Sequence, residues 1–178
     1  MSGPTELPVP DTADVRTGPE VSEELLAVLP LLGEWHGEGQ AAGAGGDHRF
    51  GQWIRFSHDG RPFLAYQSRT WLLDDEDKPV RPSHREFGWW RAVADTDEVE
   101  ALIISPTGVM ELYLGKVDGL KVEMVTDAVV RTATAKEVAA GHRLWGIVEG
   151  ALMYAFDMAA MGQPLQSHLS ARLERVAG

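Results

Sequence analysis

Short runs in which apolar and polar residues alternate fill most of the chain after residue 33. Alternation with a period of two is typical of β-strands that have one buried face. Turn sequences such as Asp118–Gly119 separate the runs and favour hairpins. The predicted strands cover residues 34–40, 50–56, 63–73, 86–93, 98–105, 109–117, 120–132, 142–148, 151–159 and a last strand within 163–176. The pattern therefore predicts about ten strands, mostly joined by hairpins.

No helical period interrupts these strands, and antiparallel strands without crossover helices indicate a sandwich or an up-and-down barrel. Residues 22–29 predict one short amphipathic helix that begins at an N-cap, Ser22, and ends before Pro30. Such a helix can close one end of a barrel, so we expect an all-β, ten-stranded antiparallel up-and-down β-barrel. Residues 1–21 lack a hydrophobic period and predict a disordered tail, which leaves residues 22–178 as the barrel domain.

The composition narrows the classes of partner. The chain is 44% hydrophobic and 24% charged, as in an ordinary soluble globular protein. Its net charge of −11 argues against binding to nucleic acid or to an anionic membrane. No apolar run is long enough to span a membrane and no secretory signal is recognisable, so a cytoplasmic protein is expected. The absence of cysteine excludes disulfides, thiolate catalysis and thiolate ligands for zinc or haem.

Histidine is the residue type with the most chemical interest, although no pair of histidines has a spacing typical of zinc ligands. His48 lies in a polar loop and His58 in a turn, so both are predicted to face solvent, and His84 is predicted to lie in another loop. His168 enters the last strand, where it is a surface residue, a core residue or a ligand. Strict alternation places it opposite Leu169, so it faces an apolar interior only before the regular strand or at a bulge. The two remaining histidines are His36 and His142.

Two segments stand out for their small residues. In GEWHGEG, residues 33–39, glycines allow another backbone to approach a strand closely, and we interpret the segment as a barrel corner with Trp35 in the core. It is not a dinucleotide fingerprint, because no strand precedes it and no helix follows it. In TATAKEV, residues 132–138, Lys136 is either a simple turn residue or a cation near a bound carboxylate.

GEWHGEG resembles the GxWxGxG signature of the nitrobindins, haem-binding barrels similar in shape to fatty-acid-binding proteins, with Gly33, Trp35, Gly37 and Gly39 as the motif positions. RPFLAY, TAKEV and MGQPLQSHLSARLERV resemble other segments of that family in the same order. The resemblance implies that His168 is the axial ligand to the iron of haem b and the catalytic residue, its ring oriented by a hydrogen bond from the other nitrogen. It also implies that Lys136 lies beside the porphyrin.

The resemblance further implies a reaction, the isomerisation of peroxynitrite to nitrate at ferric haem, and the binding of nitric oxide. One segment departs from the family pattern. QAAGAGGDHRF, residues 40–50, replaces a Tyr-Pro-Thr-Ile type segment whose threonine lies near the haem, so haem affinity or the polarity around the haem is expected to differ. Two alternatives stay open: a carrier of a fatty acid or another apolar ligand, and a haem or nitric oxide sensor without turnover. A homodimer is also considered.

Overall fold

The structure is a computed structural model that describes residues 10–42 and 46–178. Ten antiparallel strands form a closed barrel in which each strand pairs with its neighbours in the chain, and the first pairs with the last. The strands are β1 (Gly33–Ala41), β2 (His48–Ser57), β3 (Leu64–Leu73), β4 (Pro79–Ala92), β5 (Glu98–Ser105), β6 (Val109–Asp118), β7 (Lys121–Arg131), β8 (Val138–Val148), β9 (Ala151–Ala160) and β10 (Gln166–Ala177). The all-β, ten-stranded up-and-down barrel predicted from the sequence is confirmed.

The helix predicted before the barrel is instead a pair of short 3₁₀ turns, Glu23–Leu25 and Leu29–Leu31. Ser22 precedes the first turn in an extended conformation, and its side chain makes no capping hydrogen bond. Pro30 falls in the second turn, and proline cannot continue an α-helix because it lacks an N–H and clashes with the preceding turn. The prediction of a single helix was therefore wrong, but the turns still bury Leu25 in the core at one end of the barrel.

Residues 10–21 belong to the segment predicted to be a disordered tail. Thr12 and His58 exchange two backbone hydrogen bonds, of 2.8 and 2.9 Å, so this part of the segment lies against the barrel. His58 is only 1% exposed, and the prediction that it faces solvent was wrong because a distant part of the chain covers its turn. The domain boundary at residue 22 stays a prediction, and residues 1–9 of the expected tail lie outside the described residues.

A cluster of aromatic rings fills the core towards the end that carries the 3₁₀ turns. Four rings lie in mutual contact there, with centroids 5.1 to 6.3 Å apart and mostly edge-to-face: Phe56, Tyr66, Trp90 and Trp145. Aromatic rings prefer such offset or perpendicular contacts, which stabilise a core beyond simple burial. Among the described residues, no helix has the length and hydropathy that crossing a membrane would need. Towards the other end, the interior contains buried polar and charged side chains, among them Gln52, Glu86 and Arg143.

Candidate functional site

A buried charge cluster, which we define as Glu86, Glu111, Arg143, Tyr66 and Tyr113, lies inside the barrel. Arg143 is 2% exposed and donates two hydrogen bonds to the Glu86 carboxylate, of 2.6 and 3.0 Å. Its Nε donates to the Tyr113 hydroxyl at 3.0 Å, and Tyr66 donates to Glu86 at 2.8 Å. Glu111 accepts from Tyr113 at 2.9 Å and lies 3.5 Å from the guanidinium. The bidentate geometry fixes the plane of the guanidinium.

The electrostatics of this cluster keep the central pair ionised. Burial alone would raise the pKa of Glu86, but the Arg143 guanidinium, with help from His84, holds that pKa well below its usual range. Burial alone would lower the pKa of Arg143, but the Glu86 carboxylate raises it well above the ordinary value. Burial raises the pKa of Glu111, against the opposing effect of Arg143. The pair is therefore a fixed cation and anion within the barrel.

A second polar group completes this layer of the interior. Tyr154 donates a hydrogen bond of 2.8 Å to the Gln52 side-chain oxygen, and the Gln52 amide donates to the Ser68 hydroxyl at 2.9 Å. Gln52 and Ser68 are both 3% exposed, so their polar atoms are satisfied within the protein. Together with the buried charge cluster, these side chains form a polar floor that separates the aromatic core from the opposite mouth of the barrel.

His168 lies at that mouth, at a β-bulge in β10. The pairing of β10 with β9 shifts register between Ser167 and Leu169, so His168 is the extra residue. Its ring meets the ring of Phe156 edge-on, with centroids 5.5 Å apart and planes at 84°, and Leu169 packs against the core. The bulge thus directs two consecutive side chains to the interior, one of the two arrangements that the sequence required for an inward-facing histidine.

The environment of His168 favours a neutral imidazole. Burial lowers the pKa of His168, and the nearby charges of His84 and Arg143 lower it further. A neutral imidazole can offer a ring nitrogen to a metal. Within residues 10–42 and 46–178, neither ring nitrogen of His168 has a hydrogen-bond partner, so the orienting hydrogen bond expected from the resemblance is not found there. The contact that the His168 ring does make is with the Phe156 ring.

His84 is a second imidazole at this mouth, and the sequence did not identify it as such. It was predicted to lie in a loop but belongs to β4, where its backbone N–H donates to Thr70 Oγ1 at 2.9 Å. Its Nε2 lies 3.8 Å from the Glu86 carboxylate. His48 pairs with Ala41, which pairs with Leu169, so His48 and His84 lie at the same end of the barrel as His168. His48 is exposed, as predicted, but it begins β2 and does not lie in a loop.

Two other histidines lie on the outer surface of the barrel. His36 is exposed on the outer surface, and its ring lies 5.4 Å from that of Trp71. His142 bridges two strands on the outside, with one ring nitrogen 3.1 Å from Glu123 and the other 3.2 Å from Asp157. These contacts give His142 a structural role.

The loop that carries Lys136 reaches the same end of the barrel as His168. It connects β7 to β8, and the Met161 N–H donates to the Glu137 carbonyl at 2.9 Å, which joins this loop to the segment before β10. The Lys136 side chain is exposed, and its carbonyl accepts a long hydrogen bond, 3.5 Å, from Arg131. The fold therefore places Lys136 at the same end of the barrel as His168, and its proximity to a cofactor stays a prediction.

Trp35 lies near the opposite end. It is 0% exposed, its Nε1 donates to the Leu31 carbonyl at 2.9 Å, and the Arg175 guanidinium lies 4.1 Å from the ring centroid. The preceding Gly33 adopts a φ of +139°, which favours glycine, and a Cβ there would lie against Arg175. These contacts tie Trp35 to the 3₁₀ turns and to the end of β10, far from the mouth.

The remaining glycines of the motif lie along the seam between β1 and β10. A Cβ at Gly37 would clash with the carbonyl oxygen of Arg172, and one at Gly39 would clash with the Phe50 ring and the Ser170 carbonyl. These are close backbone approaches of the kind that glycine permits in strands. The motif thus has the contacts of a packing element. Residues 43–45, in the segment that departs from the family pattern, lie outside the described residues.

Glu86, Arg143 and Phe156 were not predicted from the sequence as residues of the site. A signal was available, because each shares the inward phase of its strand with a large buried residue. Glu86, Gly88 and Trp90 share the inward face of β4, and Arg143 lies two residues before Trp145 on the inward face of β8. A charged residue in phase with a buried face indicates a paired interior charge.

The donors at the mouth fit a haem better than a bare metal ion. In the part of the chain that the structure describes, no group of three or more His, Cys, Asp or Glu side chains could hold a metal. Haem iron takes four nitrogens from the porphyrin, so the protein needs to supply only one ligand, which can be an imidazole. His168, neutral and bordered by Phe156 and Leu169, offers that ligand together with apolar contact surface. The fold and this site define a ligand-binding barrel suited to haem.

Comparison with known proteins agrees with this class. A family model described as "THAP4-like, heme-binding beta-barrel domain" matches residues 24–175. A protein of Salinispora tropica named peroxynitrite isomerase is 57% identical over 180 residues, which cover 96% of this chain and 90% of that protein. A protein of Saccharopolyspora erythraea named ferric nitrobindin-like protein is 46% identical, with 97% of this chain and 84% of that protein covered.

A solved structure supports the same assignment. The crystal structure of Rv2717c from M. tuberculosis matches with a TM-score of 0.78 and 34% identity, over 88% of this chain and 99% of that one. The chain belongs to the THAP4-like haem-binding β-barrel family. The resemblance to the nitrobindins drawn from the sequence is confirmed.

Proposed function

We propose that the protein is a haem-dependent enzyme that isomerises peroxynitrite to nitrate, with His168 as the axial ligand of the iron. The observation that carries the proposal is the bulge in β10, which directs a neutral imidazole into the barrel mouth beside Phe156. The relatives named peroxynitrite isomerase, at 57% and 45% identity over most of the chain, support the choice of reaction.

The residues of the chain supply binding and enclosure. His168 would hold the iron, and Phe156 and Leu169 would give the porphyrin apolar contact. The polar floor and the aromatic core beneath it close the barrel from the opposite end. Bound haem supplies an iron site that polarises the peroxo bond of the substrate. We propose haem b in particular, because covalent attachment of a c-type haem requires cysteine and the chain has none.

Replacement of His168 by alanine tests the proposal. His168→Ala is expected to fold, with a wild-type far-ultraviolet circular dichroism spectrum, and to lose both the Soret band and the catalysed decay of peroxynitrite measured by stopped flow with nitrate as product. The matched control is His36→Ala, which changes an exposed histidine outside the barrel and is expected to keep both. A wild-type Soret band in His168→Ala would refute the assignment of the ligand. Haem binding without nitrate formation in the wild-type protein would favour a sensor, and fatty-acid binding without haem would favour a carrier.

Two finer proposals accompany this function. We propose that nitric oxide binds the same iron, for which the relative named ferric nitrobindin-like protein gives support. A shift of the Soret band on titration with nitric oxide tests this. A cytoplasmic location also stays a proposal, in keeping with a chain that contains no cysteine to form disulfides.

We further propose a homodimer through an apolar face on the outside of β4, β5, β6 and β7. Paired positions form rows across these strands, such as Phe87, Ile104, Met110 and Val130. The apolar face consists of eight side chains that are 37–55% exposed: Phe87, Trp89, Leu102, Ile104, Met110, Leu114, Val125 and Val130. Together they expose on the order of 700 Å², close to the roughly 800 Å² that each partner contributes to a standard interface.

A second copy of the chain is the occupant that this face fits. The net charge of −11 opposes an anionic membrane, and a two-fold dimer would bury this apolar face against the same face of a second copy. Light scattering coupled to size exclusion is expected to give a dimer for the wild type and a monomer for Leu102→Glu. Leu120→Glu, at an exposed leucine in the β6–β7 turn, is the control and is expected to stay dimeric. A monomeric wild type at micromolar concentration would refute the proposal.

A further inference from the structure

We infer that Phe156 and Arg143 are positioning residues for His168: the guanidinium holds the phenyl ring, and the phenyl ring sets the orientation of the imidazole. The inference rests on the proposed role of His168 as haem ligand. Three successive contacts connect His168, at the mouth of the barrel, with the buried charge cluster.

The first contact is between His168 and Phe156. The backbone of the bulge is anchored by a hydrogen bond of 2.8 Å from the Ala42 N–H to the His168 carbonyl, which fixes the main chain but leaves the side chain free to rotate. The edge-on contact with Phe156, at 84° between ring planes, restricts that rotation. Ligating histidines are usually oriented by a hydrogen bond to the second nitrogen. In this protein, among the described residues, the Phe156 ring orients the imidazole in place of such a hydrogen bond.

The second contact is between Phe156 and Arg143. The guanidinium carbon lies 4.3 Å from the centroid of the Phe156 ring, within the range of a cation–π interaction. Gly141 makes room for this arrangement, because a Cβ there would lie 3.0 Å from Phe156 Cε2 and 2.5 Å from the Tyr113 hydroxyl. Phe156 therefore lies against the space that a side chain at position 141 would take. The face of its ring contacts the planar Arg143 guanidinium.

The third contact fixes the cation itself. Glu86 accepts two hydrogen bonds from Arg143 and Tyr113 accepts a third, so the plane of the guanidinium has no freedom to turn. A buried ion pair is by itself weak evidence for stability, because desolvation offsets much of the attraction. Its contribution here is conformational: a fixed plane on which the Phe156 ring rests. The Arg143–Glu86 ion pair, the Phe156 ring and the His168 imidazole thus contact one another in sequence. Together we call them the column.

The variant Phe156→Leu removes the ring while keeping an apolar side chain, and Phe156→Tyr keeps the ring. Phe156→Leu is expected to bind haem through His168 but to release it roughly tenfold faster or more, the range seen when groups behind a metal ligand are changed. Resonance Raman spectra of the ferrous protein are expected to show a broadened iron–histidine band, because the imidazole plane is no longer unique. Phe156→Tyr is expected to restore both. Phe63→Leu, at a partly buried phenylalanine outside this column, is the matched control.

A measurement on the wild-type protein without haem completes the test and does not depend on any variant folding. Nuclear Overhauser contacts between the His168 and Phe156 rings are expected in the apo protein, and their absence would overturn the inference. An unchanged release rate and Raman band in Phe156→Leu would also overturn it while leaving the proposed function intact, provided that His168→Ala loses haem. Retention of haem by His168→Ala would instead refute the proposed function itself.

Discussion

Replacement of Trp35 by alanine tests whether the GEWHGEG segment serves the fold and not the ligand. The ring is 0% exposed, bonded through Nε1 to the Leu31 carbonyl and covered by the Arg175 guanidinium at 4.1 Å. Alanine removes the buried ring together with its hydrogen bond and its contact with Arg175, and it leaves a cavity between the 3₁₀ turns and the barrel. We expect the damage to be large, because strands on both sides of the cavity are held by the closed barrel and cannot collapse into it.

The magnitude follows from these contacts. Truncation of a buried tryptophan costs about 3–5 kcal/mol of unfolding free energy. In a chain of this length, each kcal/mol lowers the melting temperature by about 2–4 °C, so a fall of about 6–20 °C is expected. Trp35→Phe keeps most of the buried ring and loses mainly the hydrogen bond, so it is expected to cost less, about 1 kcal/mol from that bond.

Urea unfolding of the haem-free proteins, followed by circular dichroism, measures these differences. A separate haem titration on the folded variants is expected to give wild-type affinity, because Trp35 pairs with Arg175 while Ala41 pairs with Leu169, about 20 Å further along the seam. An unfolding free energy of Trp35→Ala within about 1 kcal/mol of wild type would refute the packing argument. A variant that melts like wild type but binds no haem would place Trp35 in the ligand site.

Three further predictions concern residues outside the core. Lys136→Glu is expected to weaken haem binding in spectroscopic titrations more than Lys136→Ala, by less than about tenfold because the lysine is exposed; equal affinities would place it away from the haem. Burial alone would lower the pKa of His142, but Glu123 and Asp157 raise it above its unfolded value. The charged His142 ring therefore stabilises the fold fully below about pH 6.5, and this stabilisation is lost as pH rises through the folded pKa. The gap in melting temperature between wild type and His142→Gln should therefore narrow from about pH 5.5 to about pH 9, and a constant gap would contradict this. Gly39→Val is expected to cost about 1–3 kcal/mol in urea unfolding through the clash at the β1–β10 seam, and a wild-type midpoint would show that the seam can open.

The fold was predictable because the alternation of apolar and polar residues in most strands is a local signal. β4 shows the limit of that signal: it begins at Pro79, whereas the sequence predicted a strand from residue 86. The early part, PVRPSHR, has prolines and charges in place of alternation, and it becomes a strand because β3 pairs with it. His58 shows the same limit, since its burial comes from residues more than forty positions earlier in the chain.

The candidate site was predictable only in part. The family resemblance pointed to His168, and residue patterns offered a bulge as one way to turn it inward. The contacts of the column could not be predicted from the sequence, because Arg143 and Glu86 are 57 residues apart and meet only when the barrel closes. Alternation places both residues inside, but only the three-dimensional register shows that they meet.

The bulge in β10 makes the site sensitive to the length of the chain as well as to the identity of its residues. His168 and Leu169 are neighbours that both reach the interior because one residue is extra in the pairing with β9. Loss of a single residue beside the bulge would restore regular pairing, and alternation would then send one of the two side chains to the outer surface. A descendant of this sequence can therefore retain the histidine and still lose the ligand, so insertions and deletions around residue 167 deserve as much weight as substitutions when related chains are judged.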